Sequence, residues 1–119
     1  MDVTHMIATI KNHPAYHQAG MILCHNGVVR DTSRDGGKVS GLTLSVDHEK
    51  LRQVLETYKR KPGIVEILVE IAENRNLAVG DDVMLLVVAG DIRENVITVL
   101  SDTLNAIKTT VTQKTEFFV

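Results

Sequence analysis

Tryptophan is absent from this 119-residue chain, and only two phenylalanines and two tyrosines supply aromatic rings. Proteins that hold single-stranded nucleic acid stack bases on aromatic faces, so the scarcity argues against that class. A surplus of positive charge is missing too, since 13 lysines and arginines against 15 acidic residues leave a net charge of −2. General binders of phosphate backbones carry a basic excess, so any anion site here has to be local. A single cysteine, Cys24, leaves no internal disulfide framework and fits a reducing compartment. No apolar run approaches the roughly 20 residues that span a bilayer. The start, "MDVTHMIATIKNHP", lacks the basic opening and long apolar centre of a secretory signal. The expected address is the cytoplasm, with neither membrane nor nucleic acid as partner.

What is present is ordinary for a globular protein, with 44% apolar and 24% charged residues. The length suits one domain over residues 1–119. Val3, Met6, Ile7 and Ile10 have helical spacing, and Pro14 stops that run. "AGMILC" is a compact apolar strand extending through Gly27 to Val29. Asp31 to Lys38 holds no apolar residue and contains Gly36-Gly37, so an exposed, mobile loop is expected. Leu42, Leu44 and Val46 alternate with polar residues, the period of a half-buried strand.

Asp47 or His48 starts a helix in which Leu51, Val54, Leu55 and Tyr58 share a face, and "KRKPG" ends it. "IVEILVEIA" and "VMLLVVAG" are two further strands, the second buried on both faces by its composition. Asp91 is expected to cap a last helix with Ile92, Val96, Val99, Leu100, Leu104 and Ile107 as its apolar stripe. "KTEFFV" then reads as a short final strand. The order predicts an α+β fold, a mixed or antiparallel sheet with helices packed on it.

Five histidines are present. His13 and His17 stand four apart, but Pro14 spoils the helix and no further ligand completes a metal set. Cys24-His25 resembles a nucleophile with its base, yet strand neighbours point to opposite faces, and a buried structural thiol is the simpler reading. "RDGGKVS" lacks the spacing of a phosphate-binding loop. Nothing in these residues calls for a metal or cofactor. Arg30, at the opening of the polar loop, either holds an anion or is simply solvated.

The last helix is more informative. Arg93, Ile97, Leu100, Leu104 and Lys108 fall in one stripe, and Lys114 follows six residues after Lys108 with no charge between. Two amines converging near the helix end would lower each other's ammonium pKa toward the range useful in catalysis. Arg93 and Lys108 lie 15 residues apart, which is about 22 Å along a helix. One small substrate cannot touch both within one chain, so a site using both has to be built from two subunits.

In order and spacing these segments resemble the MoaE family, the large, catalytic subunit of molybdopterin synthase. The similarity runs from about Gly20 to Glu116, through "GVVRDTSRDGGKVSGLTLSVD", "EKLRQVLETY", "GIVEILVEIA", "LAVGDDVMLLVVAG", "DIR" and "TTVTQKTE". The resemblance implies an α/β hammerhead-like α+β domain that dimerises, with active sites that include residues of the neighbouring chain. It implies transfer of sulfur from the thiocarboxylated C-terminal Gly-Gly tail of a small ubiquitin-like carrier to cyclic pyranopterin monophosphate, forming the molybdopterin dithiolene. Carried over by position, Arg30 would hold the substrate's phosphate or pterin oxygens and Arg93 an anion across the dimer. Lys108 would be the catalytic amine, and Lys114 the second family lysine after a one-residue deletion. There are departures: the family histidine before the arginine is Ile92, the basic pair after the third strand is missing, and Val-Thr-Gln replaces Pro-Phe-Trp. They motivate an alternative, a non-catalytic MoaE-like paralogue serving as a dimeric binding or assembly module. A homodimeric α+β domain with unrelated chemistry is a third.

Overall fold

The computed structural model describes all residues, 1–119. Helix α1 spans Val3–Lys11, strand β1 Met21–Val28, β2 Val39–Val46, α2 His48–Lys59, β3 Ile64–Ile71 and β4 Leu77–Ala78. Strand β5 then spans Asp82–Gly90, α3 Arg93–Ala106 and β6 Thr112–Phe118. The strands form two antiparallel three-stranded sheets, ordered β1-β5-β3 and β4-β2-β6. The expected α+β class stands, with every pairing antiparallel.

Strand β5 sits centrally in the first sheet, which is why "MLLVVAG" is apolar throughout: Met84 to Gly90 are buried without a break. Alternation divides its side chains between two cores. Met84, Leu86 and Val88 meet Val96, Val99 and Ile107 of the α3 segment, with Leu51, Val54, Leu55 and Tyr58 of α2 packed around them. Leu85, Val87 and Ala89 face Met6 and Ile10 of α1 on the other side. Asp2 caps α1 through its carboxylate on the Thr4 N–H, and Asp47 caps α2 through the Lys50 N–H.

The second sheet has one apolar and one polar face. Leu42, Leu44 and Val46 pair with Glu116, Lys114 and Thr112, while Thr43 and Ser45 pair with Thr115 and Gln113 on the solvent side. A third core of Val29, Leu42, Leu44, Ala72 and Leu77 joins this sheet to the first, flanked by Ile71 and Val83. Strand β4 has only two residues and fits beside β2 because Gly41 has no side chain: a Cβ there would stand 2.4 Å from the Leu77 carbonyl oxygen.

Three details differ from expectation. Asp91 is not the N-cap of α3; Ile92 holds that position without a side-chain bond, while Asp91 Oδ1 accepts from the Ile92 N–H and from Asn95 Nδ2. Ile92 does not join the buried stripe and is 53% exposed, because the turn carries it off the packed face. Cys24 is not a buried thiol. It lies on edge strand β1 on the side where α1 covers Ile22, and it is exposed.

The loop between β1 and β2 is exposed, as its composition predicts, and closes as a hairpin. Thr32 bridges Lys38, the Ser33 Oγ accepts from the Gly37 N–H, and Gly36 takes φ +88°, a conformation glycine adopts at little cost.

Candidate active site

Helix α3 does not end regularly. After Ala106 its last turn widens into a π turn, Ile107–Val111, closed by the Thr112 N–H donating to the Ile107 carbonyl. The local sequence explains the widening. Four consecutive β-branched residues, Thr109 to Thr112, crowd an α-helix. The Thr109 hydroxyl also donates back to the Asn105 carbonyl at 2.9 Å, and that of Thr110 to Ala106 at 2.6 Å. Ile107 and Val111 anchor the turn in the core. Asn105, Lys108 and Thr109, at spacings of three and one, then share the opposite side. Such turns recur at functional sites because the extra residue redirects side chains.

That side faces a cavity of about 590 Å³ at the seam between the two sheets. Its apolar wall is Val28, Leu42, Leu44, Ile71, Val83 and Met84. Four basic side chains meet there from four separate elements: His25 from β1, Arg34 from the polar loop, Lys108 from the π turn and Lys114 from β6. No aspartate or glutamate lines it. The arrangement suits an anion with an apolar or planar body, since the wall can pack against that body and the cations can supply charge-assisted hydrogen bonds.

His25 stands opposite Leu86 on the face of β1 that also carries Leu23 and Gly27. Partial burial strips water from its imidazole, and the Lys108 ammonium repels a second positive charge; both hold its pKa below the usual imidazole value. Cys24 faces the other way, opposite Val87, so the two do not form a nucleophile and base. Loss of solvation pushes the Cys24 thiol above its ordinary pKa, although the residue as a whole is exposed.

Of the four residues singled out in the sequence, the structure brings Lys108 and Lys114 together on this cavity. Arg30 and Arg93 do not line it. Arg30 is exposed just after β1 and donates from Nε to the Thr32 carbonyl at 2.8 Å, bracing the base of the loop. Arg93 opens α3 at the far end from Lys108 and pairs with Glu94 at 3.2 Å. Reasoning from sequence missed Arg34 and the orientation of His25. Alternation along β1 carried the signal for the histidine, because it shares a face with the core residue Leu23. Nothing in the local pattern marks Arg34. His13 and His17 are not joined as ligands: His13 Nε2 lies 3.6 Å from Glu66 Oε2, and no group of three potential metal ligands occurs.

The same architecture occurs in solved structures. A MoaE protein of molybdopterin biosynthesis from Burkholderia ambifaria superposes with a TM-score of 0.77 at 18% identity, over 100% of this chain and 82% of that one. A molybdopterin synthase from Staphylococcus aureus gives 0.72 at 20% identity, over 86% and 77%. A complex of subunits 1 and 2 of the molybdopterin-converting factor from Helicobacter pylori gives 0.75 at 16%, over 99% and 80%. No curated protein sequence matches the chain. The model of the MoaE protein family matches residues 1–110, nearly the whole sequence, and the chain therefore belongs to the MoaE family.

Proposed function

We propose that this chain is the catalytic subunit of a molybdopterin synthase, moving sulfur from the thiocarboxylated C-terminus of a small carrier protein onto cyclic pyranopterin monophosphate. One observation carries the reading: in a member of this family, two lysines, an arginine and a histidine converge on an apolar-walled cavity that has no acidic residue. Both reactants are anionic at the reacting end, one through its thiocarboxylate and the other through its phosphate. Clustered cations beside an apolar wall attract such groups more strongly than a single cation in bulk solvent.

In this reading the Lys108 ammonium pairs with the thiocarboxylate anion and holds its sulfur against the pterin side chain. There the carbon–sulfur bond forms as an oxygen substituent of that carbon is protonated and leaves as water. Lys114 and Arg34 hold the phosphate, the arginine through its two-pronged guanidinium. Arg30, at the loop base, contacts substrate oxygens if the loop folds inward. Arg93 serves a neighbouring copy of the chain, because α3 separates it from Lys108 by its full length. The partners are the small sulfur-carrier subunit and a second copy of this chain, in the cytoplasm. The Helicobacter pylori complex of two converting-factor subunits supports the first of these.

The experiment is to mix purified protein with thiocarboxylated carrier and precursor and to measure molybdopterin. Product is expected from the wild type and not from Lys108→Ala. A second reading, a non-catalytic MoaE-like assembly module, is favoured by Ile92, an exposed apolar residue where the family carries a histidine. It predicts carrier binding without product.

A further inference from the structure

The reaction just described does not end when sulfur reaches the substrate. Once the thiocarboxylate sulfur bonds to carbon, the carrier's acyl carbon is still attached to that sulfur, and the two molecules are joined as a thioester. The carrier leaves with an oxygen in place of the sulfur it delivered, and water is the source of that oxygen. Water is a poor nucleophile until a base takes its proton. Completing the transfer therefore needs a proton acceptor on the cavity wall.

The wall narrows the choice to one residue. It has no aspartate or glutamate, and Asn105, Thr109 and Thr112 are not bases near neutral pH. Lys108, Lys114 and Arg34 are its cationic groups. His25 remains. Its ring projects from β1 onto the cavity, with Nε2 3.4 Å from where a Cβ on Gly27 would stand, so the imidazole folds along the strand over that glycine. Neither ring nitrogen has a hydrogen-bond partner within the protein, which leaves a lone pair free to meet a water.

Resting on the sulfur-transfer reading above, we propose that His25 is the general base of its hydrolytic half. The imidazole takes a proton from the water that attacks the thioester carbonyl. A carbon–oxygen bond forms, the carbon–sulfur bond to the carrier breaks, and the electron pair leaves on the substrate's sulfur as a thiolate. The carrier departs as a carboxylate, its acid proton and the proton on the imidazolium both passing to solvent. No oxidant or reductant is needed.

The surroundings suit this role. Lys108 from the π turn bears on His25, Lys114 from β6 and Arg34 from the loop line the same cavity, Glu116 stands 3.9 Å from Lys114, and β5 presents Leu86 and Met84. Burial of the ring, and after it the Lys108 charge, holds the imidazole pKa below its usual value, so the ring is able to accept a proton near neutral pH. Lys108 and His25 thus divide the work: the lysine stabilises the carbonyl oxygen, and the histidine serves the nucleophile.

The test is single turnover with thiocarboxylated carrier and precursor, followed by intact-mass detection of the carrier–substrate adduct and by molybdopterin release across pH 5–9. The wild type is expected to release product with an acid limb set by the histidine and to accumulate no adduct. In His25→Phe and His25→Gln the adduct is expected to accumulate and release to slow about 10²–10⁴-fold. The acid limb should disappear, and added imidazole should restore part of the rate to the phenylalanine variant. Release at the wild-type rate with unchanged pH dependence, from either variant with a native melting transition, overturns the role while leaving sulfur transfer intact. A wild type that yields neither adduct nor product overturns the sulfur-transfer reading and this role with it.

Discussion

Lys114 stands opposite Leu44 in the antiparallel ladder that joins β2 to β6. Residues directly opposite in such a ladder share a face of the sheet. Leu44 is buried toward the first sheet, so the register alone carries Lys114 onto the cavity wall beside it. A slip of one residue would turn the amine to the polar outer face with Thr43 and Ser45. The inner face tolerates an apolar side chain here, so Lys114→Leu is expected to leave the melting temperature unchanged or raise it. The lost anion contact should lower kcat/KM about 10–100-fold, mainly through KM. Steady-state kinetics beside a thermal melt check both halves, and an unchanged KM would remove Lys114 from substrate binding.

Lys108 makes a sharper case because its side chain is exposed and makes no salt bridge within the protein. Lys108→Ala is expected to keep the circular dichroism spectrum and melting temperature of the wild type while lowering molybdopterin formation at least about 100-fold. Turnover at the wild-type rate would count decisively against the proposed role.

The pH dependence of stability follows from His25. Its folded-state pKa lies below its unfolded value, so the unfolded chain binds the proton more readily. Stability therefore falls as pH drops through the ordinary imidazole range, and the loss levels off below the folded-state pKa. His25→Phe removes this contribution. The variant should lose less stability than the wild type between pH 7 and pH 5, as read from urea midpoints at each pH. Parallel curves would mean that the imidazole is solvated equally in both states.

Thr103 is fully buried in α3, and its hydroxyl has no hydrogen-bond partner. An orphaned buried hydroxyl costs about 1–3 kcal/mol. Thr103→Val keeps the shape and removes the orphan, and is expected to stabilise the fold by about 1 kcal/mol or more. Denaturant titration measures this, and a destabilised variant would show that the hydroxyl is satisfied after all.

Gly63 adopts φ +80°, and a Cβ there would lie 2.2 Å from Asp91 Oδ1 and 2.6 Å from Asn95 Nδ2. Alanine at this site combines left-handed backbone strain with loss of the Asp91–Asn95 bond that braces the start of α3. Gly63→Ala is expected to destabilise by at least about 2 kcal/mol. Gly36→Ala is the control: its φ is similarly positive, but nothing lies within 4 Å of the added atom. Its cost should be the smaller of the two by chemical denaturation.

Much of this was legible in the sequence because burial imposes period. Leu42, Leu44 and Val46 alternate along an inner face, and Leu51, Val54, Leu55 and Tyr58 recur at helical spacing. What escaped were features made by contacts distant in sequence. Strand β4 has two residues and exists only because Gly41 admits it. The π turn depends on threonine hydroxyls competing for backbone carbonyls, which no apolar pattern records. Asp91 was misplaced by one residue as a cap because its carboxylate bonds the Ile92 N–H and the Asn95 side chain rather than a backbone N–H of the helix's first turn. Within the site, both lysines were readable from their spacing. Arg34 was not, since the direction a polar loop takes is set by the hairpin it closes.

The cavity wall has one further consequence. Lys114 belongs to one sheet and His25 to the other, so a molecule gripped by both becomes a staple between layers that otherwise meet through a small apolar seam. Occupancy and rigidity are then the same event. At a hundred times its dissociation constant such a ligand adds about 2.7 kcal/mol to the folded state. A melting shift with simple phosphate esters would therefore rank candidate substrates before any carrier protein is in hand.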